Sequence, residues 1–329
     1  MTRLNRSNRR AVLALLGAGL TGLTPIAVAQ NSSTWPTKPI RVVVTFPAGG
    51  LLDVVTRMLA QRLAEVFQQP VIVENRPGAN GNIGGQQVAK SAADGYTLLA
   101  TSADMVAVNP HLYKMGFDPA KDLQPITQIA RVSMMIVARP QYPANDAKEM
   151  VAHLKARPEQ SYGTPGVGSS PHLVAETLRL ETGARINHVP YKGLGAALTD
   201  LLGGQIDWVV DAGVSLPYLR EGRLKLLAIA GKSRHSEFPN VPTLTESGLP
   251  GFDSDTTFVM MAPAGTPKPI IDRINAEVVR LLRSDGFTER LNALSLSAVA
   301  DSPTEAQTSL RADHARLGQV IAKAGIKAE

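Results

Sequence analysis

The sequence has no cysteine in 329 residues, which excludes disulfide scaffolds, thiolate metal sites and cysteine nucleophiles together. Aromatic residues are few, with 7 Phe, 6 Tyr and 2 Trp, too sparse for the stacking platform that binds single-stranded nucleic acid. Beyond the N-terminus no apolar run approaches membrane-spanning length, about 20 residues. The six histidines, His111, His153, His172, His188, His235 and His314, are dispersed, with no H-x-x-x-H or H-E-x-x-H pair to hold a metal.

What is present is an ordinary soluble composition, 44% apolar, with 34 Lys and Arg against 28 Asp and Glu. At roughly 100–200 residues per domain the length suggests two domains with room for real cores. The net charge of +6 resembles a nucleic-acid signal until the charges are placed. Arg3, Arg6, Arg9 and Arg10 stand before residue 30 with no acid among them, and without them 30 basic residues face 28 acidic ones. No basic stripe remains to follow a phosphate backbone.

Those arginines precede an apolar stretch from Ala11 to Leu23 and the small-x-small site Ala27-Val28-Ala29, the pattern of a cleaved export signal. Residues 1–29 are therefore expected to be a signal peptide, with the mature chain beginning at Gln30 in the periplasm. Asn8-Arg9-Arg10-Ala11-Val12-Leu13 also resembles a twin-arginine signal, so the Sec and twin-arginine routes both stay open. A compartment without ATP or NAD weakens nucleotide-dependent readings, and none of the motifs calls for a cofactor.

From Pro39 onward, short β-rich runs alternate with helical stretches. Ile40–Phe46 reads as a buried strand, and Leu51–Phe67 as a helix with Leu51, Val55, Met58, Leu59, Leu63 and Val66 on one face. The grammar repeats through the strands Tyr96–Thr101, Val132–Ala138, Ile186–Val189, Ile206–Val210 and Leu224–Ala230. Residues 231–255, rich in Pro and Gly, read as a connector, and the helices Lys268–Arg283 and Pro303–Ala324 close the chain. Strands separated by helices of this size indicate an α/β protein with parallel-rich sheets. Spacing alone does not assign the C-terminal helices to a lobe.

Three loops at strand ends carry donors. Phe46-Pro47-Ala48-Gly49-Gly50 opens a helix, where glycine-bounded amides and the helix dipole suit an oxyanion; a ligand-free turn is the alternative. Thr164-Pro165-Gly166-Val167-Gly168-Ser169-Ser170-Pro171-His172 repeats the logic, with Ser170 read as the N-cap. Here capping needs one serine, which leaves Ser169 and His172 to face a ligand. Thr101-Ser102 is the third set, and Asp211 after the strand Ile206–Val210 either receives a ligand donor or caps the next helix. Asp53 is explained by the helix dipole. Gly78-Ala79-Asn80-Gly81 has glycine spacing that does not match G-x-G-x-x-G, and the serine loop lacks G-x-S-x-G. Donor-rich loops with no metal cluster or nucleophile favour binding over catalysis.

At this point the chain resembles the periplasmic substrate-binding receptors of tripartite tricarboxylate transporters, the Bug receptors. The stretches that carry the resemblance include Trp35-Pro36-Thr37-Lys38-Pro39-Ile40, the Phe46–Gly50 loop and Val73-Glu74-Asn75-Arg76-Pro77-Gly78-Ala79. Further ones are Asp94-Gly95-Tyr96-Thr97-Leu98-Leu99, the 164–170 loop, His188-Val189-Pro190-Tyr191-Lys192-Gly193, Leu201-Leu202-Gly203-Gly204-Gln205 and Ala262-Pro263-Ala264-Gly265-Thr266-Pro267.

The resemblance implies a two-lobed, type II Venus-flytrap fold, with residues 30–131 and 252–329 as lobe 1 and 132–251 as lobe 2. It implies a non-catalytic receptor that captures a small carboxylate for a membrane permease. Phe46, Pro47, Ala48, Gly49 and Gly50 would serve as the first-loop site, Ser169 and Ser170 with His172 as the second, and Thr101, Ser102 and Asp211 as further cleft residues. Leu51-Leu52 stands where the family usually has a small polar residue, and Ala212 where it often has Asn. Both changes point to a ligand with one or two carboxylates and a more apolar body, aromatic ones included. Two rivals stay open: a receptor read by a sensor kinase, and a secreted serine hydrolase using Ser169 or Ser170 with His172.

Overall fold

The computed structural model describes residues 35–249, 252 and 254–327, so the expected signal segment lies outside the described residues. The chain begins with β1 (Ile40–Val44), α1 (Leu51–Phe67), β2 (Val71–Asn75), α2 (Asn82–Ala89) and β3 (Thr97–Ser102). Short helices α3 (Asp104–Ala107), α4 (Asn109–Leu112) and α5 (Pro119–Asp122) lead to β4 (Leu123–Val132). Then follow β5 (Met135–Ala138), α6 (Ala147–Ala156), β6 (Gln160–Thr164), α7 (Ser170–Thr182), β7 (Ile186–Pro190) and α8 (Leu194–Leu202). After β8 (Trp208–Asp211), α9 (Leu216–Arg220) and β9 (Lys225–Ile229), the chain returns through β10 (Thr256–Pro263). It ends with α10 (Lys268–Leu282), α11 (Asp285–Ala293), β11 (Leu296–Ala298) and α12 (Pro303–Ala324).

These strands form two sheets, one in the order β11-β4-β10-β3-β1-β2 and the other β7-β6-β8-β5-β9. Parallel pairing joins β2-β1-β3 and β7-β6-β8. The strands that begin or end at a crossing, β4, β5 and β10, pair antiparallel with their neighbours. Each sheet carries one lobe of a two-lobed α/β fold.

The chain passes between the sheets at Ser133-Met134, so the run expected as one strand from Val132 to Ala138 holds the last residue of β4 and all of β5, in different sheets, and β4 itself was not among the expected strands. A single polar residue, Ser133, separates Val132 from Met134-Met135, too little to mark the break. The return crossing lies alongside the first: Ala230 N–H donates to Met134 O at 2.8 Å, and Ser254 N–H to Ala230 O at 3.1 Å. Within β4, Pro125 supplies no N–H, and the ladder with β10 shifts register beside it, between Met260 and Met261.

The pattern of α1 explains its docking. Leu52, Val55, Leu59 and Leu63 recur every three or four residues and are all buried. In the first lobe Val43, Leu99, Val259 and Met261 meet Val88, Met105 and Leu310 in one core. In the second, Val137, Val209 and Ile229 meet Leu198, Leu201 and Leu216. Burying each such side chain contributes about 1.5–3 kcal/mol. A third cluster, Val108, Leu173 and Ile321, takes one residue each from the segment between α3 and α4, from α7 and from α12. It joins the lobes on one side.

Candidate functional site

The first loop is built by an internal clamp. Gly49, at φ +81°, takes a backbone region that side chains disfavour. Its N–H donates to Asp53 Oδ2 at 2.9 Å, and Gly50 N–H donates to Pro47 O at 3.3 Å. Asn75 Nδ2 donates to both Asp53 Oδ1 (2.8 Å) and Phe46 O (3.1 Å), and Arg57 pairs with the same carboxylate. Burial alone would raise the Asp53 carboxyl, but hydrogen bonds from Arg57, Gly49 and Asn75 outweigh it and hold it below its ordinary range. Asp53 is thus the loop's tie as well as a dipole partner. Two of the three loop amides are engaged inside the loop, and among the described residues the Ala48 N–H has no hydrogen-bond partner.

The second loop ends at the N-terminus of α7. Ser169, not Ser170, is the N-cap: it accepts from His172 N–H at 3.4 Å while its own hydroxyl donates to Gly166 O at 2.7 Å. Pro171 falls inside the first helical turn, where its missing N–H costs nothing. Ser170 is buried, and its hydroxyl donates to Asp104 Oδ2 at 2.5 Å, from the second lobe into the first. Asp104 also accepts from Thr256 Oγ1 at 3.1 Å, and Ser102 Oγ lies 3.2 Å from the same threonine hydroxyl. Burial raises the Asp104 carboxyl, although the hydrogen bonds from Ser170, Thr256 and Ser102 oppose the shift.

Between the two loops lies a cavity of about 870 Å3. Phe46, Pro47, Asn80 and Tyr113 line it from the first lobe, and Val167, Ser169, Tyr191 and Lys192 from the second. Among the described residues on its wall, Lys192 is the one that carries a charge. Tyr191 donates to Asp200 Oδ2 at 2.8 Å, which fixes the ring beside that lysine. The turn that carries Asn80, itself at φ +50°, is locked by Asn109, whose side chain donates to Asn80 O at 2.9 Å and accepts from Asn80 Nδ2 at 2.7 Å.

The expected site residues therefore separate. Phe46, Pro47 and Ser169 line the cavity, and Ala48, Gly49 and Gly50 continue its exposed first-lobe rim. Thr101 is fully buried and accepts from Thr45 Oγ1 at 2.9 Å, beneath the turn at Gly81. Ser102 and Ser170 belong to the Asp104 network. His172 is buried, with Nδ1 accepting from Gly168 N–H at 3.1 Å. Asp211 is also buried and ties its own loop: Oδ2 accepts from Gly213 N–H (2.8 Å), Ser215 N–H (3.0 Å) and Ser215 Oγ (2.7 Å). Burial raises its carboxyl against those bonds, and among the described residues Oδ1 has no partner.

Tyr113, Asn80 and Lys192 were not foreseen as lining residues. Lys192 stands within the motif His188–Gly193, two residues beyond the end of β7, and its signal in the sequence is a lone lysine just past a strand.

The arrangement does not assemble a hydrolase. The Ser169 hydroxyl faces a carbonyl, the Ser170 hydroxyl a carboxylate, and His172 Nδ1 already accepts a backbone N–H. No serine–imidazole pair forms, and so no base is in place to activate either nucleophile. Among the described residues no group of three or more His, Cys, Asp or Glu could hold a metal. No helix among them is long and apolar enough to cross a membrane.

Comparison with known proteins gives a consistent result. The profile of the family described as "Tripartite tricarboxylate transporter family receptor" matches residues 55–326. Protein BugT of Bordetella pertussis is 37% identical over 328 residues, covering 97% of this chain and 99% of that protein. Among solved structures, R. palustris Rpa4515 with adipate is 34% identical at a TM-score of 0.82, covering 89% of this chain and 100% of the other. MatC (Rpa3494) from Rhodopseudomonas palustris with bound malate is 31% identical at 0.77, covering 87% and 100%.

Proposed function

The chain belongs to the tripartite tricarboxylate transporter receptor family, and on that premise we propose that it captures a dicarboxylate with an apolar middle in the interlobe cavity. That it is a periplasmic carboxylate-binding receptor and not an enzyme follows from the family and its solved relatives. The finer reading concerns the ligand, its contacts and its destination.

The carrying observation is the imbalance on the cavity wall. The N-termini of α1 and α7 and the Lys192 ammonium all favour negative charge, while among the described residues no carboxylate lines the space to oppose it. Phe46, Pro47, Val167 and the ring of Tyr113 supply the apolar surface between those ends. In this reading one carboxylate meets the Ala48 N–H and the Ser169 end of α7, and the other meets Lys192. Adipate in the Rpa4515 relative has this shape, two carboxylates on an aliphatic chain; malate in MatC is shorter and more polar. Leu51 at the helix entry supports the less polar of the two.

We read residues 30–131 and 252–329 as lobe 1 and 132–251 as lobe 2, closing about the paired crossings when ligand bridges both loops. Closure requires that the ligand bind the closed form better than the open one. Delivery is to a membrane permease of the tripartite type, after export of the chain and cleavage of its signal after Ala29. A sensor-kinase ectodomain is the second reader to test, by co-purification against the permease.

The test is thermal unfolding of the chain from Gln30 with aliphatic dicarboxylates of graded length, tricarboxylates, acidic amino acids and aromatic acids. Ligand at about 100 times its dissociation constant adds roughly 2.7 kcal/mol, a rise of a few degrees. The expected result is a rise greatest for dicarboxylates with at least two methylenes. A rise confined to citrate or to amino acids overturns the apolar-body reading.

A further inference from the structure

We propose that His172, stacked on His188, is a positioning residue whose neutral form holds the ligand loop Thr164–Ser170 in shape, so that acid loosens the loop and weakens carboxylate capture. The consequence for capture rests on the function proposed above; the coupling of histidine to loop does not.

The geometry sets the sign. Gly168 N–H donates to His172 Nδ1 at 3.1 Å, so that nitrogen must present its lone pair and the imidazole must be neutral. Gly168 itself sits at φ +75°, and a Cβ there would lie 2.3 Å from Leu112 Cδ1. Leu112 therefore packs directly against the Gly168 backbone. At the loop's other end, His188 Nε2 lies 2.6 Å from Thr164 Oγ1, which also accepts from Gly166 N–H at 3.3 Å. Ser169 Oγ then donates to Gly166 O at 2.7 Å. One histidine holds each end of the loop, and both ends connect to the cavity-lining residues Gly166 and Ser169.

The rings lie face to face, with centroids 3.9 Å apart and planes 12° from parallel. Tyr162 on β6 stacks on His188 at 5.0 Å. Of the charged groups packed around the pair, Arg179 on α7 opposes protonation of His172, and Glu176 favours it at His188. Glu176 already accepts from Tyr162 Oη at 2.8 Å and from Arg179 Nε at 2.8 Å. Asp104, facing the loop's end from α3, is bonded to Ser170. Burial, helped by Arg179, pushes His172 down to about 4, and burial with the His172 neighbour pushes His188 down to about 4. A proton placed on His172 Nδ1 would set two N–H donors against each other, and the Gly168 N–H would have to move.

The experiment follows the histidine ring and Gly168 amide signals of the ligand-free wild-type chain by NMR from pH 8 to pH 3. The proposal expects His172 to titrate well below 6.5, with the Gly168 amide shifting and losing protection, relative to the intrinsic exchange rate at each pH, at the same midpoint. A Gly168 amide unmoved by His172 titration, or both rings titrating near 6.5, overturns it. The second arm titrates adipate into wild type and His172→Asn at pH 7.5 and 3.5, the lower value lying below the His172 midpoint. Asn offers an acceptor at the same branch point but does not titrate, and comparison of the two chains cancels protonation of adipate itself. Wild-type affinity should fall at least threefold more than that of His172→Asn over this range; an equal fall overturns the proposal. If adipate binds neither chain at either pH, the ligand reading fails while the NMR arm still decides the coupling.

Discussion

The two sides of the contact between the lobes differ in chemistry, although Ser169 and Ser170, neighbours in sequence, look out on one side each. On the cleft side an open cavity of about 870 Å3 is bounded by loops, helix ends and Lys192. On the other side Ser170, Asp104 and Thr256 form a buried hydrogen-bonded network beside the apolar cluster of Val108, Leu173 and Ile321. Among the described residues the Ala48 N–H and the Lys192 ammonium on the cleft side have no hydrogen-bond or ion-pair partner, whereas the polar groups of the seam network are bonded to one another. A two-lobed receptor needs both: a seam that keeps the lobes in register, and a face whose unsatisfied donors reward closure on an anion.

This division can be broken from either side. The largest effect is expected at the seam's apolar cluster, where Ile321→Ala should cost about 2–5 kcal/mol in stability, read by urea unfolding. Loss of that size with cleft residues unaltered supports the seam as the structural side; loss below about 1 kcal/mol contradicts it. Next, Ser170→Ala removes one donor from the buried Asp104 carboxylate and should cost about 1–3 kcal/mol.

On the cleft side, Lys192→Gln should leave the melting temperature within about 1 °C in the absence of ligand, as expected of an exposed position. It should weaken dicarboxylate binding by roughly tenfold, equivalent to about 1.4 kcal/mol, and affect monocarboxylates less. The smallest effect sharpens the comparison through pH. Burial raises the folded-state carboxyl of Asp104, so the folded chain holds this proton more tightly than the unfolded one. The contribution is present at low pH and is lost as pH rises through the raised value. The histidine pair, lowered on folding, acts in the opposite sense and loses its contribution as pH falls from about 6.5 towards 4. Asp104→Asn should remove the first component and keep the second, so that unfolding free energy falls more steeply on acidification than in wild type.

Much of this architecture was readable from spacing alone. Val55, Leu59 and Leu63 of the face read for α1 are buried, although Leu52 and not Leu51 joins them, Met58 is half-buried and Val66 is exposed, and the 231–255 connector carries the return crossing. The break at Ser133-Met134 was not readable, because a change of sheet alters which strands pair without altering the apolar pattern. At the site, both glycine loops sit where strand-to-helix grammar placed them. Which serine caps α7 was not decidable, since either residue satisfies the same local rule and the choice depends on Asp104, 66 residues away. Lys192 escaped notice for a related reason. A single exposed lysine has no pattern, and it gains meaning only when Phe46, Tyr113 and Ser169 stand across the cavity from it.

The most direct test of the cleft-and-seam account is one calorimetric series. Wild type, Lys192→Gln and Ser170→Ala are titrated with the dicarboxylate that raises the melting temperature most, and each chain's unliganded melting temperature is measured alongside. The account predicts roughly tenfold weaker binding with unchanged melting for Lys192→Gln, and lower melting with the smaller affinity change for Ser170→Ala. Unchanged affinity for Lys192→Gln, together with abolished binding and unchanged melting for Ser170→Ala, would place the ligand on the seam side and contradict it.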